Sequence, residues 1–382
     1  MKKLLALLLA PAMLFTLTGC WNYHEIETFQ VVAGIAVDPG LNGYKYHVTV
    51  ECVKLGQGAS QQPSGPQPVV LEADGNTIFD TVRSMLNESD KKLYFSHCEI
   101  VVLSKVLAKD GIKPLLDWFM RDAEPRDTLE FLVSKESTAG VILQQKPKTG
   151  QVMSYQISNS LHESANAAGK NLHVQLYQIN NTLNTQGDDL SLPAVEVKPE
   201  AGGDTVQVEG DAVFREDKMV GWITADQAKF TNFVLDRISG GLLLTGEDPA
   251  DPDITLEVIH NSTKVKASVG GGVPTMNIDI HMTAAYAEQN STEDLLSKVG
   301  VDRIESYAER TLQTDVGNTI DTVQKQYDAD IFDFGATISQ SQPDAWDKLK
   351  AGWRDTFKKL KYHVSAEVEI KNAATVVDKG GK

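Results

Sequence analysis

The sequence predicts a mixed α/β protein of the α+β kind, with more than one domain and with mixed or antiparallel sheets carrying packed helices. Three observations predict it. In the first half of the chain, β-branched runs alternate with amphipathic helical stretches. In the second half, alternating strand patterns come first and one long helical seam follows. The length, 382 residues, exceeds the roughly 250 at which a single hydrophobic core stops growing.

Residues 1–19 read as a secretory signal. Lys2 and Lys3 form a positive start, Leu4 to Phe15 an apolar run broken by Pro11, and Leu17-Thr18-Gly19-Cys20 a close of small residues. The run falls short of the roughly 20 apolar residues that cross a bilayer. Leu-Thr-Gly-Cys resembles the lipobox of bacterial lipoproteins, which implies a diacylglyceryl group on the Cys20 sulfur and cleavage between Gly19 and Cys20. Cys20 is therefore the expected lipidation site.

Residues 20–200 form the expected N-terminal mixed α/β region. Residues 29–37 and 44–55 make a hairpin whose second strand buries Tyr44, Tyr46, Val48 and Val50 on one face. The Gly-, Ser-, Gln- and Pro-rich residues 56–68 read as a surface loop. After a strand at 69–72, Asn76 is placed to cap a helix carrying Ile78, Phe79, Val82, Met85 and Leu86 on one face. A buried strand at 98–103, a helical pattern over 105–120 broken at Gly111 and Pro114, and a strand at 128–133 follow. Residues 137–190 hold a helical subdomain, and 190–197 return to strand.

Pro199 to Asp204 reads as a linker, so the second region is expected over 201–382. It starts with a hairpin and a helix at about 205–250: strands 206–214 and 219–224 flank Arg215-Glu216-Asp217-Lys218, and a helix follows over 226–238. Strands near 254–259, 262–269 and 276–287 suggest a meander. Ser291, with Asp294 three residues on, is expected to cap the longest helix, whose seam runs Ile304, Ala308, Leu312, Val316, Ile320, Val323, Tyr327. One seam of this kind fits a helix lying on its own sheet better than a coiled-coil dimer. Pro343 to Leu360 reads as a helix with Trp346 and Trp353 on one face, and 362–370 as a last strand.

Composition narrows the function. The 36 basic and 52 acidic residues give a formal charge of −16, which argues against nucleic acid as a partner and leaves any membrane attachment to acyl chains. Cys52 and Cys98 read as buried thiols, with a disulfide the less favoured alternative. His24-Glu25 and His162-Glu163 begin H-E pairs without the second histidine of a zinc helix, and the eight histidines are scattered, so no metal or other cofactor is expected. Ser89-Asp90-Lys91-Lys92 and Lys148-Thr149-Gly150 match short elements of penicillin-interacting enzymes but lack the third. No catalytic set emerges, and the chain is not read as an enzyme.

Several stretches resemble the Ger(x)C family of spore germination lipoproteins. They are Cys20-Trp21-Asn22-Tyr23-His24-Glu25-Ile26 with Gly34 to Asp38; Arg121-Asp122-Ala123-Glu124-Pro125-Arg126; Gly210 to Trp222; and Phe332-Asp333-Phe334-Gly335 with Pro343-Asp344-Ala345-Trp346. The resemblance implies a three-domain lipoprotein, the C-type subunit of a nutrient germinant receptor in the spore inner membrane, working beside A-type and B-type membrane subunits. It supplies no catalytic residue. The alternative is a solute-binding lipoprotein that captures the germinant itself, so whether the chain takes a small-molecule ligand stays open. Arg121, Asp122, Arg126 and Trp222 are the candidate partner contacts. For the two arginines an internal Arg–Asp staple is preferred over a docking role.

Overall fold

The computed structural model describes residues 28–54, 67–149, 152–171, 173–270, 273–290 and 297–373. The expected signal, Cys20, His24, most of the 56–68 loop, Ser291 and the final residues lie outside them.

Nine strands build the first sheet: β1 (Phe29–Pro39), β2 (Tyr46–Lys54), β3 (Gln67–Gly75), β4 (Lys92–Tyr94), β5 (Ile100–Ser104), β6 (Glu130–Ser134), β7 (Ser191–Lys198), β8 (Thr205–Arg215) and β9 (Lys218–Ile223). Their order is β3-β2-β1-β5-β6-β7-β8-β9, with β4 beside the start of β1. The centre, from β1 through β7, is parallel, and both flanks are antiparallel. Parallel strands need helical crossovers and cover on both faces, and the short apolar runs IVVLS and EFLVS meet that requirement: every residue of β5 and β6 is buried.

Helices α1 (Ile78–Ser84), α2 (Lys105–Asp110), α3 (Lys113–Arg121) and α6 (Leu176–Asn184) cover one face, where Val101, Leu103, Phe131 and Val133 meet Leu116 and Phe119. Helices α4 (Gly140–Leu143) and α5 (Met153–Ala167) cover the other, where Ile100, Val102 and Leu132 meet Ile142, Met153 and Ile157. β2 is therefore buried on both faces, not one: Thr49 and Glu51, expected on a wet face, are each 1% exposed. Glu51 has a structural task there. Its carboxylate accepts the Met153 and Ser154 N–H groups at 2.8 and 2.7 Å, satisfying the first turn of α5. Asp38 does the same at α4, accepting from Ala139 and Gly140 at 2.7 and 2.9 Å.

The expected linker at 199–204 is a hairpin turn inside this sheet, because β7 and β8 pair antiparallel across it. β8 and β9 then serve two cores. Ala212 and Phe214 face the first, while Val213 and Ile223 join the second. That second core lies between α7 (Ala225–Val234), α8 (Lys298–Gln326) and a four-stranded sheet ordered β10 (Leu242–Thr245), β11 (Ile254–Gly270), β12 (Val273–Gln289), β13 (Lys361–Ala373).

Three expectations are corrected in this half. The strands near 254–259 and 262–269 are one 17-residue strand, β11, whose register shifts at 258/260 broke the alternation. The expected meander is present as β10, β11 and β12, paired antiparallel in sequence order, and β13 adds parallel to β12. The long helix is capped by Ser297, whose Oγ accepts the Gly300 N–H at 3.2 Å. Its seam holds: Ile304, Ala308, Leu312, Val316, Ile320 and Val323 are all buried in the second core. The stretch 343–360 is broken into α10 (Pro343–Leu349) and α11 (Trp353–Phe357), preceded by α9 (Phe334–Ser341).

Candidate functional site

Candidate residues gather in three places, two of which hold residues put forward by the sequence. The first is the end of α3. Its apolar stripe Leu115, Leu116, Trp118 and Phe119 is buried, with Trp118 edge-on to Phe95 and Phe119 at 5.2 and 4.7 Å between ring centroids. The chain then leaves the helix at Asp122 and turns through Ala123-Glu124-Pro125.

The Arg–Asp staple preferred from the sequence is not what closes this turn. Arg121 Nε binds Asp117 Oδ1 at 2.7 Å, one helical turn back and exposed. Asp122 Oδ1 instead accepts the Glu124 N–H at 2.9 Å, and Glu124 pairs with Lys92 at 2.5 Å while its carbonyl accepts the Ser96 hydroxyl at 3.0 Å. Helical spacing gave Arg121 a partner at i−4, and the short β4, unrecognised in the sequence, brought Lys92 to the loop. Arg126 is exposed and pairs with no carboxylate among the described residues.

Next to this turn, a groove of about 430 Å³ opens between α1 and α3, lined by Tyr46, Phe79, Pro114, Trp118, Arg121 and Asp122. Phe79 and Leu86 were expected on the buried face of α1. Only Ile78, Val82 and Met85 reach the core, and Phe79 (47% exposed) and Leu86 (37%) stay open. The cap explains the start of the helix, for it is Thr77, not Asn76, whose hydroxyl accepts the Asp80 N–H at 3.1 Å. The indole N–H of Trp118, buried at the groove wall, has no acceptor.

Trp222 is elsewhere. It sits half-buried on β9, packed against the first core, with Lys135 over its ring at 6.0 Å and its carbonyl accepting the Tyr327 hydroxyl at 2.6 Å. Tyr327 belongs to a second place, a polar knot where the two cores meet. Asp330 is 1% exposed. It accepts the N–H groups of Phe332, Phe334 and Gly335 at 3.3, 3.2 and 2.8 Å and the indole N–H of Trp353 at 3.2 Å. Its own N–H reaches Asp189 Oδ2 at 2.9 Å, and Asp189 Oδ1 accepts from Glu216 in the β8–β9 turn at 2.7 Å. Asp188 accepts the Ala336 N–H at 3.2 Å. Burial, then the nearby Asp333 charge, pushes the Asp188 carboxyl up to about 7. Burial and the charge of Asp188 likewise raise Asp330, against the pull of its N–H donors. The stretches Gly210 to Trp222, Phe332 to Gly335 and Pro343 to Trp346 thus converge on a junction that holds the fold together.

The third place was missed. The histidines are not all scattered: His162 on α5 and His173 just before α6 both meet Glu130 at the start of β6. Sequence spacing hid this, because the three come from three elements, and α5 and the 173–177 segment must both dock on β6 before they meet. Cys52 and Cys98 are free and buried, and burial pushes the Cys52 thiol up to about 12, which keeps it protonated and unreactive.

Comparisons with known proteins agree with this architecture. Residues 22–197 match the family model described as spore germination protein N-terminal domain, and residues 209–373 match that described as spore germination B3/GerAC like, C-terminal. The gap between the two matches, residues 198–208, spans the β7–β8 turn. The chain is 28% identical over 370 residues to spore germination protein B3 of Bacillus subtilis (strain 168), covering 95% of this chain and 96% of that one. It is 24% identical over 394 residues to spore germination protein KC of the same organism, covering 97% and 95%. The crystal structure of the GerBC protein superposes with a TM-score of 0.59 at 19% identity, over 91% of this chain and all of that one.

Proposed function

Since the chain belongs to the Ger(x)C family of spore germination proteins, we propose that it is the lipid-anchored C-type subunit of a nutrient germinant receptor, assembling with A-type and B-type membrane subunits and acting without catalysis. The observation that carries this reading is the extent of the family match, which begins two residues after Cys20 and runs to residue 373 with one short gap. Among the described residues no helix is long and apolar enough to cross a membrane; in this reading the lipid on Cys20 makes the attachment. Two acyl chains hold stably where one holds weakly, at roughly 0.8 kcal/mol per buried CH₂. Partner contact is assigned to the α3 end, where Arg121 and Asp122 line the groove beside the open Phe79 of α1 and Arg126, exposed and without a carboxylate partner among the described residues, follows on the same turn. Trp222, whose ring and carbonyl are both engaged internally, is a positioning residue of the junction.

Cys20→Ala tests the anchor. Expressed in spores, the variant is expected to leave the membrane pellet for the soluble fraction after a salt wash, while the wild type stays. A variant that stays in the washed pellet contradicts the anchor.

A further inference from the structure

We infer that Glu130, His162 and His173 form a binding site for one divalent transition-metal ion of the zinc class. Three lone-pair atoms converge there. His162 Nε2 lies 3.0 Å from Glu130 Oε1, His173 Nε2 is in contact with the same oxygen, and the donor atoms of all three residues lie within 4.8 Å of one another. Ligands bound tetrahedrally to zinc at about 2.0–2.1 Å stand about 3.3 Å apart, so a cation needs only a small spreading of this cluster.

The backbone fixes two of the donors. Segment 173–177 runs beside β6 as an extra bridge: the Leu176 N–H donates to Leu129 O at 2.8 Å and the Phe131 N–H to Val174 O at 3.4 Å. His173 is thereby held next to Glu130. His162 comes from α5, which is anchored by the buried Ile157, Ser158 and Leu161.

A plain ion-pair cluster explains the geometry less well. Two imidazoles serving a carboxylate as hydrogen-bond donors would take one oxygen each. Here both rings, with centroids 4.3 Å apart, turn to Oε1, and Oε2 is left buried with no donor on a side chain that is 4% exposed. An unsatisfied buried carboxylate oxygen is costly. A cation bound between the neutral imidazoles supplies the missing charge and can draw on either carboxylate oxygen. His173 is 29% and His162 49% exposed, so the ion reaches the site from solvent and keeps an outward position for water or a partner's donor. Bound there, it ties α5 and the 173–177 segment to the sheet.

The test uses the full-length protein in detergent, stripped with a chelator and titrated calorimetrically with zinc chloride, with cobalt chloride giving an independent visible spectrum. One saturating equivalent is expected, with a four-coordinate cobalt spectrum. His162→Ala and His173→Ala are each expected to weaken binding at least about tenfold. His281→Ala, at a histidine that pairs with Glu367 on the second sheet, is expected to bind as the wild type does. Glu130→Gln endangers the fold because the side chain is buried, so the two histidine variants decide. No saturable binding, or binding equal in the wild type and both of these variants, overturns the site. The result is independent of the membrane anchor, since the protein is assayed in detergent.

Discussion

At the scale of single residues, the carboxylates of the junction set a direction for pH dependence. Asp188 has an ordinary value of 3.8 and is raised to about 7 in the fold by burial and by the charge of Asp333. Between those values the native state holds a proton that the unfolded chain has released. Stability from this group is therefore greatest at low pH and falls as pH rises from about 4 to about 7. Asp188→Asn removes the dependence, because an amide does not titrate. Thermal melts of both proteins at pH 5 and pH 8 are expected to show the wild type losing more stability than the variant on going to the higher pH. An equal gap between the two proteins at both pH values contradicts the assignment. Asp38, Glu51, Asp189 and Asp330 are shifted in the same direction by burial, so comparison with the variant, not the wild-type profile alone, isolates Asp188.

At the scale of elements, α8 shows how sequence pattern and tertiary fit combine. Its seam is legible because buried residues recur every third or fourth position, and the sheet below rewards that period. Gly317 interrupts helix propensity without serving a close contact: a Cβ there would stand 3.6 Å from the Tyr362 ring and hydroxyl, ordinary van der Waals separation. Gly317→Ala is expected to stabilise the protein by about 0.5–1 kcal/mol in urea unfolding, and a loss of stability contradicts this packing. Gly221 is the contrast, since a Cβ there would meet the Tyr327 ring at 2.1 Å.

What the sequence hid has the same physical logic. β4 is three residues long and β10 four, too short to show a period of two. The register shifts in β11 disguised one strand as two. Glu51 read as wet because its helix partner, about 100 residues away in sequence, supplies the backbone donors that make burial tolerable, as Ala139 and Gly140 do for Asp38. The Glu130–His162–His173 cluster and the groove beside Phe79 are likewise products of tertiary docking, with no local spacing to announce them. The expectation for Cys20 rests on a linear motif and so needs no tertiary docking to be read, but Cys20 itself lies outside the described residues.

At the scale of the whole molecule, the two halves are not beads on a string. The first sheet runs across the turn at 199–204, and β8–β9 present alternate residues to both cores, while Tyr327, Asp330 and Trp353 lock the second half onto the 187–189 loop and the β8–β9 strands. Packed side chains and hydrogen bonds, not a single covalent link, thus couple the two cores. At the α3 end the turn is closed by Asp122, Glu124 and Lys92, and Arg126 is exposed with no carboxylate partner among the described residues, so the proposed partner contact there is an acidic group of another chain meeting Arg126. The most direct measurement is capture of the tagged full-length protein from detergent-solubilised spore membranes, with Arg126→Glu run in parallel at matched membrane abundance and melting temperature. The account predicts that the wild type brings down one A-type and one B-type receptor subunit and that the variant recovers several-fold less of them. Wild-type protein recovered from the membrane without either subunit contradicts it.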